Sequence, residues 1–322
     1  MRLPKFEYLE PAGIEEASKI ILENPKNKVL AGGTDLLVNM KHRVEQPPTL
    51  INLKKIPGLD YIKPVNGEIR IGTLTPLKKL CTSPVIARKL PALATAASVV
   101  GSYHHQTMGT IGGNICQQNR CKYYNQSQWW RSSRPLCFKA GGDICHVVNK
   151  EEVCYSHYCG DAAAVLLVLE AQAVLQTADG SRTVPVDSLF SGNGRVPLNL
   201  NPGEILTEII IPQAAAEGRA VYLKFANRAS IDFPIVGAAV WISSNGPETR
   251  IAFTSVDRRP VRAVEAEACL KDKGLDQGAI ETAAGLAAKT GQPTTASLYS
   301  PGYKRKLMGL LVKSAFKNLL GR

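Results

Sequence analysis

Residues 30–41 read LAGGTDLLVNMK, and residues 107–115 read TMGTIGGNI. In the first, a short apolar strand from Lys28 to Ala31 runs into Gly32-Gly33. Thr34 and Asp35 then stand where they can cap a helix reaching about Met40. Glycines let a backbone approach a ligand closely, and the free N–H groups of a helix start favour an anion such as a pyrophosphate. The second stretch has the same capability. Neither is the GxGxxG of a dinucleotide fold nor the GxxxxGKS/T of a P-loop. Taken alone, each is compatible with a tight turn.

Outward from these loops the chain alternates helix and strand. Residues 13–24 form an amphipathic helix with Ile14, Ala17, Ile20 and Ile21 on one face, and Thr49–Leu53 is a strand. Asn66-Gly67 between two apolar runs signals a hairpin over 62–72. Residues 84–100 are alanine-rich and helical. From Asp161, AAAVLLVLEA is a buried helix, and strands follow at about 172–177, 182–186 and 205–211, with a Gly/Pro/Asn-rich loop over 191–203. A composition shift at QAAAEG (213–218) marks a domain boundary. Beyond it come strands near 220–226, 235–242 and 250–256 and helices near 262–272, 276–289 and 303–320. The last helix presents Leu307, Leu310, Leu311, Ala315, Leu319 and Leu320 as its apolar face.

At 322 residues with 20% charged and 44% apolar side chains, the chain has the composition of a soluble mixed α/β protein. No apolar run approaches the length needed to span a membrane. The N-terminal MRLPKFEYLEPAG lacks the apolar core of a secretory signal, so a reducing cytoplasm is the expected location. The net charge of +12 concentrates toward the end of the chain, in Lys304, Arg305, Lys306, Lys313, Lys317 and Arg322. No nucleic-acid motif accompanies it, and an acidic partner surface is the simpler expectation.

Six of the eight cysteines lie between residues 116 and 159, spaced C-x4-C-x15-C-x7-C-x8-C-x4-C. Clustered thiols in a reducing compartment point to metal or redox chemistry. The two C-x4-C pairs keep zinc possible, and a four-thiolate iron–sulfur cluster tolerates the wider intervals. Cys81 and Cys269 read as ordinary buried thiols. Tyr123, Tyr124, Trp129 and Trp130, interleaved with Arg131 and Arg134, could stack on single-stranded nucleic acid. Shielding a cluster from water is the preferred reading. His104, His105, His146 and His157 read as structural, hydrogen-bonded histidines. No nucleophile–base arrangement or carboxylate pair is defensible from spacing, so no catalytic residue is assigned.

Several motifs fall in a fixed order: AGGTDL at 31–36, IGTLTPL at 71–77, TIGGN at 110–114, Asp161 opening its alanine-rich helix, NPGEILTEIIIP at 201–212 and YLKFANR at 222–228. Together they resemble the FAD-binding medium subunit of the xanthine oxidase family of molybdenum hydroxylases, nearly end to end. The resemblance implies an α+β fold. A two-lobed FAD-binding domain (1–215, with lobes of about 1–55 and 56–215) would be followed by a smaller α+β domain of sheet plus helices (216–322). It implies that Val29, Leu30, Ala31, Gly32, Gly33, Thr34, Asp35 and Leu36 cradle the FAD pyrophosphate. Thr110, Ile111, Gly112, Gly113 and Asn114 would form the second loop, Asp161 would lie near the flavin, Leu206 would pack on its ring and Lys224 would touch its flavin end. Gly101 is a further backbone contact. On their own patterns, Asp161 is a helix N-cap, Leu206 a buried strand residue and Lys224 a surface lysine.

Within this family the insertion at about 116–159 resembles that of one branch, the β subunit of 4-hydroxybenzoyl-CoA reductase. The local match includes RCKYYNQSQWWR and the pair Cys145-His146. It implies a 4Fe–4S cluster on Cys121, Cys137, Cys145 and Cys154, with Cys116 and Cys159 bracketing the insertion. The implied partners are a molybdenum-cofactor large subunit and a small subunit with two 2Fe–2S clusters, in a dimer of heterotrimers. A low-potential donor such as ferredoxin would feed them. The implied role is electron relay between the 4Fe–4S cluster, FAD and the 2Fe–2S centres, for reductive dehydroxylation of 4-hydroxybenzoyl-CoA. One alternative is the medium subunit of an aromatic or N-heterocycle hydroxylase that passes electrons outward. Another is a zinc-stabilised binding module.

Overall fold

A computed structural model describes residues 2–321, so Arg322 of the basic tail lies outside the described residues. The architecture is mixed α+β. A parallel three-stranded sheet comes first, with Thr49–Asn52 between Glu7–Leu9 and Lys28–Leu30. Helices Ile14–Glu23 and Leu36–Lys41 connect its strands. An antiparallel five-stranded sheet follows in the order Ile62–Val65, Glu68–Gly72, Ile205–Ile211, Gln172–Gln176, Ser181–Pro185. A third, antiparallel sheet is built from Arg219–Phe225, Val236–Ile242, Thr249–Thr254 and Val261–Arg262. Helices Val264–Lys273, Gln277–Ala287 and Pro301–Leu320 pack with it in one apolar core. No described helix is long and apolar enough to cross a membrane.

Several of these elements follow directly from residue chemistry. Asn66 and Gly67 both adopt positive φ (50° and 85°), as a two-residue hairpin requires. The helix Asp161–Val168 is buried on every side. It touches strands Val236–Ile242 and Thr249–Thr254 of the third sheet and helix Pro91–Ser98. Its run of alanines permits those close approaches.

Four expectations change. The helix anticipated over 84–100 is two helices, Pro84–Lys89 and Pro91–Ser98, because Pro91 forces Leu90 out of helical geometry (φ −137°, ψ 53°). On the C-terminal helix, Leu310 is exposed while Met308, Val312 and Phe316 are buried, so the inward stripe is rotated from the one anticipated. Lys304 is fully buried rather than part of a basic surface, with its Nζ 3.1 Å from His157 Nδ1. Cys81 and Cys269 are only partly buried.

Candidate functional site

The two glycine loops, distant in sequence, are in contact. A Cβ on Gly32 would overlap the Met108 carbonyl and crowd Gly109 Cα, so the first loop lies directly on the backbone entering the second. Gly33 adopts φ +72°, and the Leu37 N–H donates to its carbonyl at 3.0 Å to start the helix. Residues 31–36 remain partly open to solvent while Leu30 behind them is buried. In the second loop, Thr110 caps a five-residue helix, its Oγ1 accepting from Gly113 N at 3.1 Å. Gly112 sits against the IGTLTPL segment, and a Cβ there would lie 2.7 Å from Thr73 Cβ. Gly112 N donates to Thr73 O at 2.9 Å and Ile111 N to Thr75 O at 3.0 Å. Two motifs that look independent in sequence therefore form one ladder. Leu206 joins it, buried, because Thr73 Oγ1 donates to the Leu206 carbonyl at 2.8 Å.

Asp161 and Lys224 are buried together. Asp161 accepts from Tyr222 OH at 2.8 Å and pairs with Lys224 Nζ at 3.2 Å. Lys224 also donates to the Val99 and Asp232 carbonyls at 2.8 and 2.9 Å. Neither matches its simple sequence reading: Gly160, not Asp161, is the N-cap, and Lys224 is no surface lysine. Burial pushes the Asp161 carboxyl up to about 6, against the opposing pull of Lys224 and the Tyr222 hydroxyl. The pair ties the helix after the insertion to the first strand of the third sheet. Asn114 completes this corner, its Oδ1 accepting from Ala162 N at 3.2 Å. Gly101, at φ +55°, accepts Ile231 N at 2.8 Å through its carbonyl and so anchors the loop that bears Asp232.

The insertion has little regular structure, chiefly the helix Gln128–Ser132 and the ribbon Ile144–Cys145 with Lys150–Glu151. Its eight-cysteine chain holds no disulfide: every cysteine is a free thiol. Cys121, Cys137, Cys145 and Cys154 line one cleft, whereas Cys116 and Cys159 do not. Tyr123, Tyr124, Phe138, Lys139 and His146 are among its other wall residues. Backbone N–H groups of Tyr123 and Tyr124 point at the Cys121 sulfur, and those of Lys139 and Ala140 at Cys137. Such donors favour thiolate, yet burial dominates: it pushes Cys121 up to about 11 and raises Cys137. Outside the cleft, burial pushes Cys116 up to about 12.

Among the described residues, no group of three or more His, Cys, Asp or Glu side chains is arranged to hold a single metal ion. A zinc module therefore has no ready-made ion site here. A cubane bonds each thiolate to a different iron, so its ligands stand farther apart than those of one tetrahedral ion. Four thiols on one cleft, two of them with N–H donors at the sulfur, have the chemistry such a group needs. The shielding anticipated from the tryptophans is corrected: Trp129 is 81% exposed, and Trp130 is stacked under Arg134 at 3.5 Å. Tyr123, Tyr124 and Phe138 line the cleft instead. Three of the four histidines are hydrogen-bonded as anticipated, whereas His104 is exposed and has no hydrogen-bond partner among the described residues. His157 holds Thr294 Oγ1 at 2.9 Å, His105 holds Ser102 Oγ at 2.8 Å and His146 holds the Pro135 carbonyl at 3.0 Å.

One functional feature had no sequence signal. Arg120, immediately before Cys121, forms an ion pair with Asp35 of the first glycine loop. Beside it, Asn125 Nδ2 donates to Asn39 Oδ1 at 3.2 Å, and Arg131 Nη2 donates to the His42 and Arg43 carbonyls at 3.1 and 2.8 Å. The insertion is thus strapped to the helix that follows the first glycine loop. It is equally strapped to the third-sheet unit, through Lys122 N to Ala296 O at 2.9 Å and Asn119 Nδ2 to Arg258 O at 2.8 Å.

Two glycine loops on an α+β frame, followed by a sheet-and-helix unit, define an FAD-binding flavoprotein. The model of the FAD binding domain in molybdopterin dehydrogenase matches residues 4–214, and that of the CO dehydrogenase flavoprotein C-terminal domain matches 221–319. The chain belongs to the FAD-binding medium subunits of the molybdenum hydroxylase family, the oxidoreductase family of CO dehydrogenase and xanthine oxidase. It is 30% identical to the carbon monoxide dehydrogenase medium chain of Hydrogenophaga pseudoflava over 316 residues, 97% of this chain and 96% of the relative. It is 26% identical to the nicotinate dehydrogenase FAD-subunit of Eubacterium barkeri, over 98% of this chain and 96% of that one. The solved carbon monoxide dehydrogenase of Hydrogenophaga pseudoflava superposes with a TM-score of 0.81 at 29% identity, over 100% of this chain and 99% of that one.

Proposed function

We propose that this chain is the electron-relay subunit of a molybdenum-containing reductase and carries, beside FAD, a 4Fe–4S cluster on Cys121, Cys137, Cys145 and Cys154. The observation that carries the reading is the convergence of these four thiols, and not Cys116 or Cys159, on one cleft. Bound there, the cluster supplies one-electron transfer. The chain's own residues hold and insulate it: Tyr124 and Phe138 exclude water, and the N–H groups at Cys121 and Cys137 stabilise negative charge on sulfur. For FAD, residues 29–36 would take the pyrophosphate and Thr110–Asn114 the second face, with Leu206 under the ring system. Asp161 would lie near the flavin, Lys224 would touch its flavin end and Gly101 would give a further backbone contact. The division into 1–215 and 216–322 is part of the same proposal.

The partners in this reading are a molybdenum-cofactor large subunit and a small subunit with two 2Fe–2S clusters, in a dimer of heterotrimers. Electrons run inward from a low-potential donor such as ferredoxin to reduce 4-hydroxybenzoyl-CoA. The likeness of RCKYYNQSQWWR to that branch supports this substrate, and the net charge of +12 suits an acidic donor. The test is the purified complex, assayed for FAD, iron and acid-labile sulfide and for reduction of 4-hydroxybenzoyl-CoA by a reduced low-potential donor. About four iron and four sulfide in this chain are expected for a cubane. Zinc without iron overturns the cluster assignment. A second reading, an aromatic or N-heterocycle hydroxylase passing electrons outward, is favoured by similarity to the nicotinate dehydrogenase FAD-subunit and to the nicotine 6-hydroxylase medium subunit of Paenarthrobacter nicotinovorans. Substrate-dependent reduction of an added acceptor, with no reductase activity, would select it.

A further inference from the structure

Among the described residues, Lys139 is the one lysine or arginine that lines the cysteine cleft, which His146 also lines. It lies two residues after Cys137. Its Nζ donates to the Gly194 carbonyl at 2.8 Å and to Gln118 Oε1 at 3.1 Å, and it stands 5.0 Å over the Tyr124 ring. An ammonium has three N–H donors, and protein oxygens take two of them. Among the described residues, no carboxylate comes within 4.0 Å of this nitrogen. The lysine is part-buried, and a part-buried ammonium without a paired anion is costly to hold. The cleft it lines holds four thiols, which carry negative charge only when ionised, as iron binding requires.

The position is built rather than incidental. The loop that supplies the Gly194 carbonyl lies against the cleft, and a Cβ on Gly194 would stand 2.5 Å from the Cys154 carbonyl and 3.0 Å from its sulfur. Ser156 Oγ donates to the Gly194 carbonyl at 2.9 Å and stands 3.2 Å from Cys154 Sγ. The Gly194 loop therefore fixes the lysine and the Cys154 side of the cleft through one acceptor.

We infer that Lys139 is the counter-charge of the cysteine cleft, a positioning residue that makes the cluster held there easier to reduce. The inference rests on the cluster proposed above. A fixed positive charge beside the four thiols favours the state with one more electron, and the low-dielectric walls strengthen its effect. Lys139 thereby sets where this cluster stands relative to FAD in the order of electron uptake.

The test is a potentiometric titration of the holoenzyme, followed by the electron paramagnetic resonance of the reduced cluster, in wild type, Lys139→Met and Lys139→Arg. Lys139→Met is expected to keep its iron and FAD and to shift the reduction equilibrium about tenfold toward the oxidised form, ~59 mV for a one-electron couple. Lys139→Arg keeps the charge and is expected to stay within about threefold of wild type. A shift below about twofold in Lys139→Met, or an equal shift in both variants, overturns the inference. If Lys139→Met loads no iron while Lys139→Arg does, the counter-charge role is supported. If neither loads iron, the lysine is structural and the inference falls. A wild-type holoenzyme without iron overturns the cluster reading as well. Iron-loaded wild type with an unshifted Lys139→Met overturns the lysine's role alone.

Discussion

The glycine-loop scaffold and the cysteine insertion are neighbours held together by different means. The scaffold is a matter of backbone: Gly32 lies on the Met108 carbonyl, Gly112 lies on Thr73, and main-chain hydrogen bonds at 2.9–3.0 Å close the ladder. The insertion has short elements only and is held largely by side chains, among them Arg120 on Asp35, Asn125 on Asn39 and Arg131 on two carbonyls, beside the main-chain bond from Lys122 to Ala296. A backbone-made site leaves short, contiguous motifs, because each position tolerates one residue type. A side-chain-made site scatters its partners over the sequence.

The largest effect that would break this contrast is expected at the thiols. Cys137→Ser should abolish the cluster while leaving FAD bound, read as loss of iron and sulfide at unchanged flavin content. Full retention of iron would show that the cleft is not the ligand set. Next, Gly32→Ala should destabilise the chain by about 2–3 kcal/mol and weaken FAD retention, since the added methyl has only backbone to push against. Denaturant unfolding of the apo chain measures this, and an unchanged midpoint would refute the contact between the loops.

A subtler test lies where the two regions join, at Asp161. Its folded-state carboxyl sits at about 6, above the ordinary unfolded value near 4. The folded chain therefore binds the extra proton between those values. The contribution to stability is greatest below about pH 4 and falls as pH rises through about 6, by about 3 kcal/mol. Asp161→Asn removes this slope, so the wild-type minus variant stability should decline across that window, and a flat difference would contradict the assignment. The smallest effect is expected at Trp129. At 81% exposure, Trp129→Ala should change stability by less than about 0.5 kcal/mol and leave the cluster spectrum unaltered. A bleached or shifted spectrum would restore the tryptophan as a shield.

Much of the frame was legible in the chain itself. Ile205–Ile211 occurs where its isoleucine-rich apolar run predicts, and the Asn66-Gly67 hairpin closes as its turn residues require. Both depend on local chemistry that one segment contains whole. The break at Leu90 was legible too, in Pro91, but alanine content outweighed it in the reading. Lys304 was not: as a lysine among lysines in an amphipathic helix it had no mark of burial, and only the packing of that helix against His157 puts it inside. The same holds for Asp161 and Lys224, where a cap and a surface cation become one buried pair across the two units.

The sequence by itself determined the α+β frame, the two glycine loops and the segment in which thiols gather. Glycine freedom, apolar periodicity and cysteine clustering are local properties, and they are visible wherever the chain is read. The resemblance implied which four of six thiols belong together, and the tertiary structure brings them to one cleft; it alone decided that Lys139 lines that cleft and that Arg120 ties it to Asp35. Those are contacts between residues far apart in the chain, selected by packing and by the cost of burying a charge without a partner. No spacing along the sequence encodes them.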